Sequence, residues 1–195
     1  MLHILTGRYK GRKLLPPPPG AATRPITAAA RKSLFDTLTA WTEGALVLDL
    51  FCGTGTVGLE ALSRGAKYCC FADHDRRVLD RLRRNIQAVG AEDQSRIWAG
   101  DIPRQLAAWL RELDRPVDLA FVDPPYADAR SWDWSCVVRQ VFAPLAERLV
   151  AEGVLVLRLP AQVHPPEDLA GLRLTRTRRQ GGMTLGFYRH SRKEG

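Results

Sequence analysis

Five apolar runs of strand length alternate along the chain with segments of helical period, and this alternation limits the fold more than any other feature. Residues 45–51, 68–72, 96–99, 117–122 and 154–159 form the runs. Residues 57–64, 78–89, 102–113 and 137–149 lie between them and repeat apolar side chains three and four positions apart, as in Leu79, Leu82 and Ile86. A strand, a helix and a second strand close a parallel pair, so the pattern predicts an α/β fold with a mostly parallel sheet and helices on both faces. Two further runs, 172–177 and 184–188, flank Gly181-Gly182, which can reverse the chain tightly. They predict a closing antiparallel pair and bring the expected total to seven strands.

The first residues read differently. Two short strands, 3–6 and 13–15, flank a basic turn and predict a small N-terminal β-hairpin. Pro16 to Pro19 then force an extended connector. The expected organisation is a hairpin extension and connector over 1–22 and a single α/β domain over 23–195. Thr27 is placed to cap a helix whose apolar face carries Leu34, Phe35 and Leu38.

No apolar run approaches the ~20 residues that span a bilayer, and the N-terminus lacks the continuous apolar stretch of a signal peptide. A cytoplasmic protein is expected. The four cysteines, Cys52, Cys69, Cys70 and Cys136, form no C-x-x-C pair. They read as buried thiols in a reducing compartment, not as a metal site.

The first strand runs into Asp49-Leu50-Phe51-Cys52-Gly53-Thr54-Gly55-Thr56-Val57-Gly58. Gly53, Gly55 and Gly58 fit Gly-x-Gly-x-x-Gly, a loop that turns tightly and lets a ligand approach the backbone. Asp73 ends the second strand, where a carboxylate can accept the hydrogen bonds of a ribose diol. These features describe a nucleoside cofactor, and a nicotinamide dinucleotide is one candidate. Asp49 argues against it, because a carboxylate beside the loop would repel a pyrophosphate. S-adenosylmethionine carries no phosphate, and its sulfonium and ammonium groups suit that carboxylate. Asp101 follows the third strand and could take an adenine amino group, cap the next helix, or do both. With their neighbours Phe51 and Ile102, the expected cofactor residues are Asp49, Phe51, Gly53, Gly55, Asp73, Asp101 and Ile102. Cys52 is read as packing, and His74 receives no catalytic role.

The fourth strand ends in Asp123-Pro124-Pro125-Tyr126. Ligands of open parallel sheets bind beyond the carboxyl ends of the strands, which puts this tetrapeptide beside the glycine loop. Two prolines stiffen the backbone and remove two amide donors. The Asp123 carboxylate and the Pro124 carbonyl remain as acceptors for an amino group, and Tyr126 offers a ring on which a base can stack. The four residues are the expected catalytic set. The chemistry is methyl transfer to an exocyclic amine by direct displacement, driven by positioning and electrostatics, with no metal. These residues alone do not separate guanine N2 from adenine N6 or cytosine N4.

Lys and Arg outnumber Asp and Glu by 29 to 21, which points to a polyanionic partner. Arg8, Lys10, Arg12 and Lys13 cluster in the first turn, with Arg24 and Arg31 close behind. These six are the expected RNA-binding residues. A second cluster, Arg173, Arg176, Arg178 and Arg179, lies near the C-terminus.

Together these segments resemble the RsmD-type 16S rRNA guanine-N2 methyltransferases. The resemblance rests on 3–14, on Thr23-Arg24-Pro25-Ile26-Thr27 through Leu38, on 49–66, on Asp123 to Tyr126 and on Gln180-Gly181-Gly182-Met183-Thr184. Ile26 stands inside the family's Arg-Pro-Thr segment, and Lys32 stands where an acid is usual. The resemblance implies a Rossmann-like fold, S-adenosylmethionine as cofactor, and 16S rRNA or the small ribosomal subunit as partner. It also implies the N2 amine of guanine-966 as target. Two other readings compete with it: a DNA or RNA adenine-N6 or cytosine-N4 amino-methyltransferase, and a non-catalytic RNA-binding module.

Overall fold

In the computed structural model, which describes residues 2–21 and 25–191, one twisted sheet carries the whole molecule. Its strands are β1 (Leu46–Leu50), β2 (Tyr68–Asp73), β3 (Ser95–Ala99), β4 (Val117–Val122), β5 (Leu149–Pro160), β6 (Asp168–Leu169), β7 (Leu172–Gln180) and β8 (Met183–His190). They lie in the order β3-β2-β1-β4-β5-β8-β7-β6. The first five are parallel, and β5, β8, β7 and β6 pair antiparallel. The sheet therefore has eight strands where seven were expected. The additional strand, β6, is two residues long and pairs only with the start of β7, too short to show a period in sequence.

Alternate side chains of each strand feed two cores. Val47, Cys69, Phe71, Leu119, Phe121 and Val156 face one layer of helices, α1 (Ala28–Thr37), α3 (Thr56–Ser63) and α4 (Arg76–Val89). Leu48, Leu50, Cys70, Ala120, Val122 and Leu157 face the other. That layer comprises α5 (Ile102–Arg111) and a continuous helical run of α7 (Trp134–Val137), a π-helical turn (Val138–Phe142) and α8 (Ala143–Arg148). Burial on both faces explains why the central strands read as unbroken apolar runs. Two short helices complete the fold, α2 (Thr39–Thr42) after α1 and α6 (Tyr126–Ser131) after β4. Thr27 caps α1 as expected, its side chain accepting the Ala30 N–H at 3.3 Å. Three cysteines are buried and Cys136 is only partly so, a departure from four buried thiols.

The N-terminal arm is joined by one bridge, His3 to Lys13, and not by two strands. Its Ile4 and Leu14 enter the same core as α1 and α3. Long-range bonds hold it: the Glu60 carboxylate on α3 accepts the N–H groups of Leu5 at 2.8 Å and Thr6 at 3.1 Å. At its tip, Arg8 N–H donates to the Ser63 carbonyl at the end of α3 at 2.9 Å. The returning chain then climbs beside α4, where Leu15 N–H donates to Asn85 Oδ1 at 2.7 Å. Asn85 in turn donates to the Thr54 carbonyl in the glycine loop at 3.0 Å. The boundary expected at 22/23 lies outside the described residues. Among the described residues no helix is long and apolar enough to cross a membrane.

Candidate active site

Strand order reverses between β1 and β4, because β2 and β3 are added on one side and β5 on the other. A crevice opens at the carboxyl ends of strands flanking such a switch point. Here it is a cavity of about 310 Å³ lined on one side by Asp49, Phe51, Gly53 and Thr54, and on the other by Asp123 to Tyr126. The connector supplies Pro17, the segment before α1 supplies Pro25 and Ile26, α6 supplies Arg130, and β5 supplies Arg158.

Local backbone shapes the first wall. Phe51 and Gly53 both take left-handed conformations, with φ of 59° and 55°. For Phe51 that is strained by about 1–3 kcal/mol, a cost common at ligand sites. Its ring is held by Trp132, 6.4 Å between centroids. Asp49 is buried and accepts the Gly58 N–H at 2.8 Å, tying β1 to the first turn of α3. Burial raises its carboxyl well above the usual carboxylate range, against that backbone bond, and nearby Asp123 and Asp73 raise it further. Gly55 and Gly58 serve packing. A Cβ on Gly58 would sit 2.3 Å from the Phe71 ring, and one on Gly55 would sit 2.3 Å from Leu82.

The remaining expected cofactor residues stand at the next stations along the same sheet edge and do not line the cavity. Asp73 is 3% exposed. Its carboxylate accepts the N–H groups of Gly53 at 2.9 Å and Asp75 at 3.0 Å, so it braces the glycine loop. Asp101 caps α5 by accepting the Arg104 N–H at 3.1 Å, and Ile102 is buried in the core beneath it. His74 is exposed and outside the cavity.

On the second wall, Asp123 N–H still donates to the Leu50 carbonyl at 3.1 Å, so the tetrapeptide leaves β4 directly beside the end of β1. Pro124 is buried, and α6 begins at Tyr126. Arg158, which the sequence reading passed over, completes this wall. Its Nη1 donates to Asp123 Oδ2 at 2.6 Å and its Nη2 to the Tyr126 hydroxyl at 3.3 Å. Desolvation pushes the Asp123 carboxyl up to about 6, with Arg158 pulling downward and Asp73 adding to the rise. The available signal was a charged residue inside Val154-Leu155-Val156-Leu157-Arg158-Leu159, a run otherwise wholly apolar.

The sequence pattern of the family described as conserved hypothetical protein 95 matches residues 2–189. The chain belongs to that family. It is 29% identical over 190 residues to YlbH of Bacillus subtilis, provisionally named an rRNA methyltransferase, a match covering 96% of this chain and 98% of that one. It is 34% identical over 125 residues to ribosomal RNA small subunit methyltransferase D of Escherichia coli K12. That match covers 64% of this chain and 60% of the Escherichia coli protein. The solved structure of a hypothetical protein from Thermus thermophilus superposes with a TM-score of 0.79 at 27% identity, covering 97% of this chain and 99% of the other. These matches support the resemblance read from the sequence and the Rossmann-like methyltransferase fold.

The RNA-binding residues expected from the sequence separate in space. Arg8, Lys10, Arg12 and Lys13 are exposed on the arm. The arm's tip lies at the far end of α3, and eight helical residues span ~12 Å from the cavity. Arg8 is engaged by Gln94 and lies 4.5 Å from the Tyr9 ring. Arg31 is a correction: it is buried, paired with Glu60 and bonded to the His3 carbonyl, so it is not part of a binding surface. Arg24 lies outside the described residues. Of the second basic cluster, Arg176, Arg178 and Arg179 stand closer to the cavity, whereas Arg173 sits at the opposite end of β7. Pro160 and Gln180 both pair with Met183, so the β7–β8 turn lies at the cavity end of β5. Arg178 is tied to the Ser33 carbonyl at 2.9 Å. Arg176 and Arg179 are exposed on β7 and make no ion pair among the described residues.

Proposed function

We propose that this chain transfers a methyl group from S-adenosylmethionine to an exocyclic amino nitrogen of a base in ribosomal RNA, and that the base is a small-subunit guanine methylated at N2. The observation that carries the reading is one cavity with a cofactor wall, Asp49 to Thr54, facing an amine-accepting wall, Asp123 to Tyr126. The names of the relatives support the substrate class.

The residues present fit the cofactor. The glycine loop from 49 to 58 contains a buried carboxyl group and no basic side chain, a setting suited to a cationic ligand and hostile to a pyrophosphate. Thr54 Oγ1 is buried at the cavity with no hydrogen-bond partner among the described residues, a position that calls for a ligand or water. Asp49, Phe51, Gly53 and Thr54 would hold the cofactor, with Asp73 and Asp101 fixing the loops around it. When bound, it supplies an activated methyl group on a sulfonium whose sulfur leaves as a neutral thioether.

The chain's part is positioning. Asp123 and the Pro124 carbonyl accept hydrogen bonds from the target amine and hold its lone pair free of the ring's conjugation. Tyr126 stacks the base. As the nitrogen–methyl bond forms, the amine becomes cationic, and the Asp123 carboxylate stabilises that charge before the proton leaves. RNA is held on the exposed arm residues Arg8, Lys10, Arg12 and Lys13 and on the β7 edge at Arg176 and Arg179.

The test is transfer of labelled methyl groups to small-subunit particles lacking the modification, to naked rRNA and to duplex DNA, followed by nucleoside analysis. Labelled N2-methylguanosine is the expected product. Labelled N6-methyladenosine or N4-methylcytidine would select the alternative amine. Absence of transfer despite cofactor binding would favour a non-catalytic RNA-binding module.

A further inference from the structure

Arg158 is 7% exposed and lies on β5 among Val154, Leu155, Val156, Leu157 and Leu159, all buried. A guanidinium in such a place loses most of its hydration, and replacing a buried ion pair with apolar side chains is often neutral or stabilising. Its stabilising value therefore does not explain its presence. Its contacts suggest a different role. One guanidinium nitrogen binds Asp123 at 2.6 Å, another binds the Tyr126 hydroxyl at 3.3 Å, and the guanidinium carbon lies 5.4 Å from the centre of the Tyr126 ring. Arg158 thus spans the tetrapeptide from its first residue to its last.

We propose that Arg158 is a positioning residue for methyl transfer, holding Asp123 in the ionised, acceptor-only form and fixing it against Tyr126 so that the target amine meets a preset pair of acceptor and ring. The proposal rests on the methyltransferase reading above. An ionised carboxylate has lone pairs on both oxygens, so Arg158 on Oδ2 leaves acceptor capacity for the amine. A protonated carboxyl would instead present a donor toward the amine hydrogens. The charged and titratable groups around Asp123 are Asp49 on β1, Asp73 on β2, Tyr126 and Arg130 on α6, and Arg158 on β5. Ile26 and Leu34 close the side nearest α1. Asp49 and Asp73 both disfavour a negative charge on Asp123 when ionised, as does desolvation. Arg158 is the only cation among the described residues paired with Asp123.

The experiment compares single-turnover methyl transfer as a function of pH for the wild type, Arg158→Met and Arg158→Lys, at saturating S-adenosylmethionine and RNA. In the wild type the rate falls as pH drops through about 6, where Asp123 takes up a proton. In Arg158→Met that limb moves upward by ~1–3 pH units, the usual effect of losing a neighbouring arginine. For a displacement of ~2 units the rate at pH 7 drops roughly 10-fold and recovers as pH rises. Arg158→Lys returns the limb toward the wild-type position, and cofactor affinity is the same in all three. A merely structural arginine would lower the rate at every pH and leave the limb where it was. That outcome, in a folded Arg158→Met protein, overturns the proposal. A carboxyl-carbon NMR titration of Asp123 reads the same shift without substrate. An unmoved Asp123 titration in a folded Arg158→Met or Arg158→Gln protein would count equally against Arg158, while absence of methyl transfer by the wild type would count against the methyltransferase reading alone.

Discussion

Arg31 Nε lies 3.4 Å from Glu60 Oε2, and the two side chains are 1% and 0% exposed. This pair joins α1 to α3 at the point where the N-terminal arm is stitched on, since Glu60 also accepts from Leu5, Thr6 and Arg64 Nε. Removing one partner of a buried pair strands the other charge, at about 3–5 kcal/mol. Glu60→Ala should therefore lower unfolding stability by about that amount in urea melts, whereas Glu60→Gln, which keeps the shape and one of the two acceptor oxygens, should lose less. A Glu60→Ala protein as stable as the wild type would mean the arm is only loosely attached.

Loss of the Asp123 carboxylate should separate catalysis from cofactor binding. Asp123→Ala removes the acceptor facing the target amine and leaves the glycine loop intact. Single-turnover methyl transfer at saturating cofactor should fall roughly 100-fold or more, as when one oriented electrostatic partner is lost. Asp123→Asn keeps one acceptor oxygen and should be impaired less. Near-wild-type transfer by a folded Asp123→Ala protein would reduce the tetrapeptide to a turn.

How far the sequence went depended on whether the deciding interaction was local. The parallel strands were visible because Val47, Leu119 and Val156 recur in runs buried on both faces, and the glycine loop because Gly53 and Gly55 stand between a strand and a helix. Asp101 and Thr27 act on amides three residues away, within reach of local reasoning. Arg31 was assigned to a surface because its charge is visible in sequence and its partner, Glu60 on another helix, is not. Arg158 was missed for the opposite reason. A single charge in an apolar run looks like an edge defect until β4 brings Asp123 beside it. The distance between the arm's tip and the cavity was also hidden, because it depends on packing of the arm against α3 and α4 that no local pattern encodes.

Cofactor affinity should weaken as pH falls. Burial, together with Asp123 and Asp73, holds the Asp49 carboxyl well above its ordinary range, so the cofactor-free protein takes up a proton there at a higher pH than an exposed carboxylate would. A cation arriving beside Asp49 favours the ionised form, so binding expels the proton and tightens as pH rises. Calorimetry in two buffers of different ionisation heat, with a chelator present, should show proton release on S-adenosylmethionine binding. Uptake of protons, or binding that requires a metal, would contradict this picture of the cavity.

The two basic surfaces should contribute differently to RNA binding. Every phosphate that the protein no longer neutralises flattens the logarithmic salt dependence of affinity by roughly 0.7–0.9. Replacing Arg8, Lys10, Arg12 and Lys13 with Ala should weaken RNA binding and reduce that slope while leaving the rate at saturating RNA near the wild-type value, because the arm's tip lies a helix length from the cavity. Arg176→Ala with Arg179→Ala removes charge beside the β7–β8 turn, next to the cavity end of β5. It should also reduce the slope and in addition slow transfer from weakly bound RNA, since on the proposed reading phosphates held there would lie closest to the base being presented. Cofactor affinity should be unchanged in both variants. A thermal melt separates weakened RNA binding from damage to the fold, which matters for Arg8 and Arg12 because their side chains also bond to Gln94 and to the Ala88 carbonyl. A salt slope unchanged in the arm variant would remove the arm from the RNA surface, and one unchanged in the β7 variant would remove the strand edge.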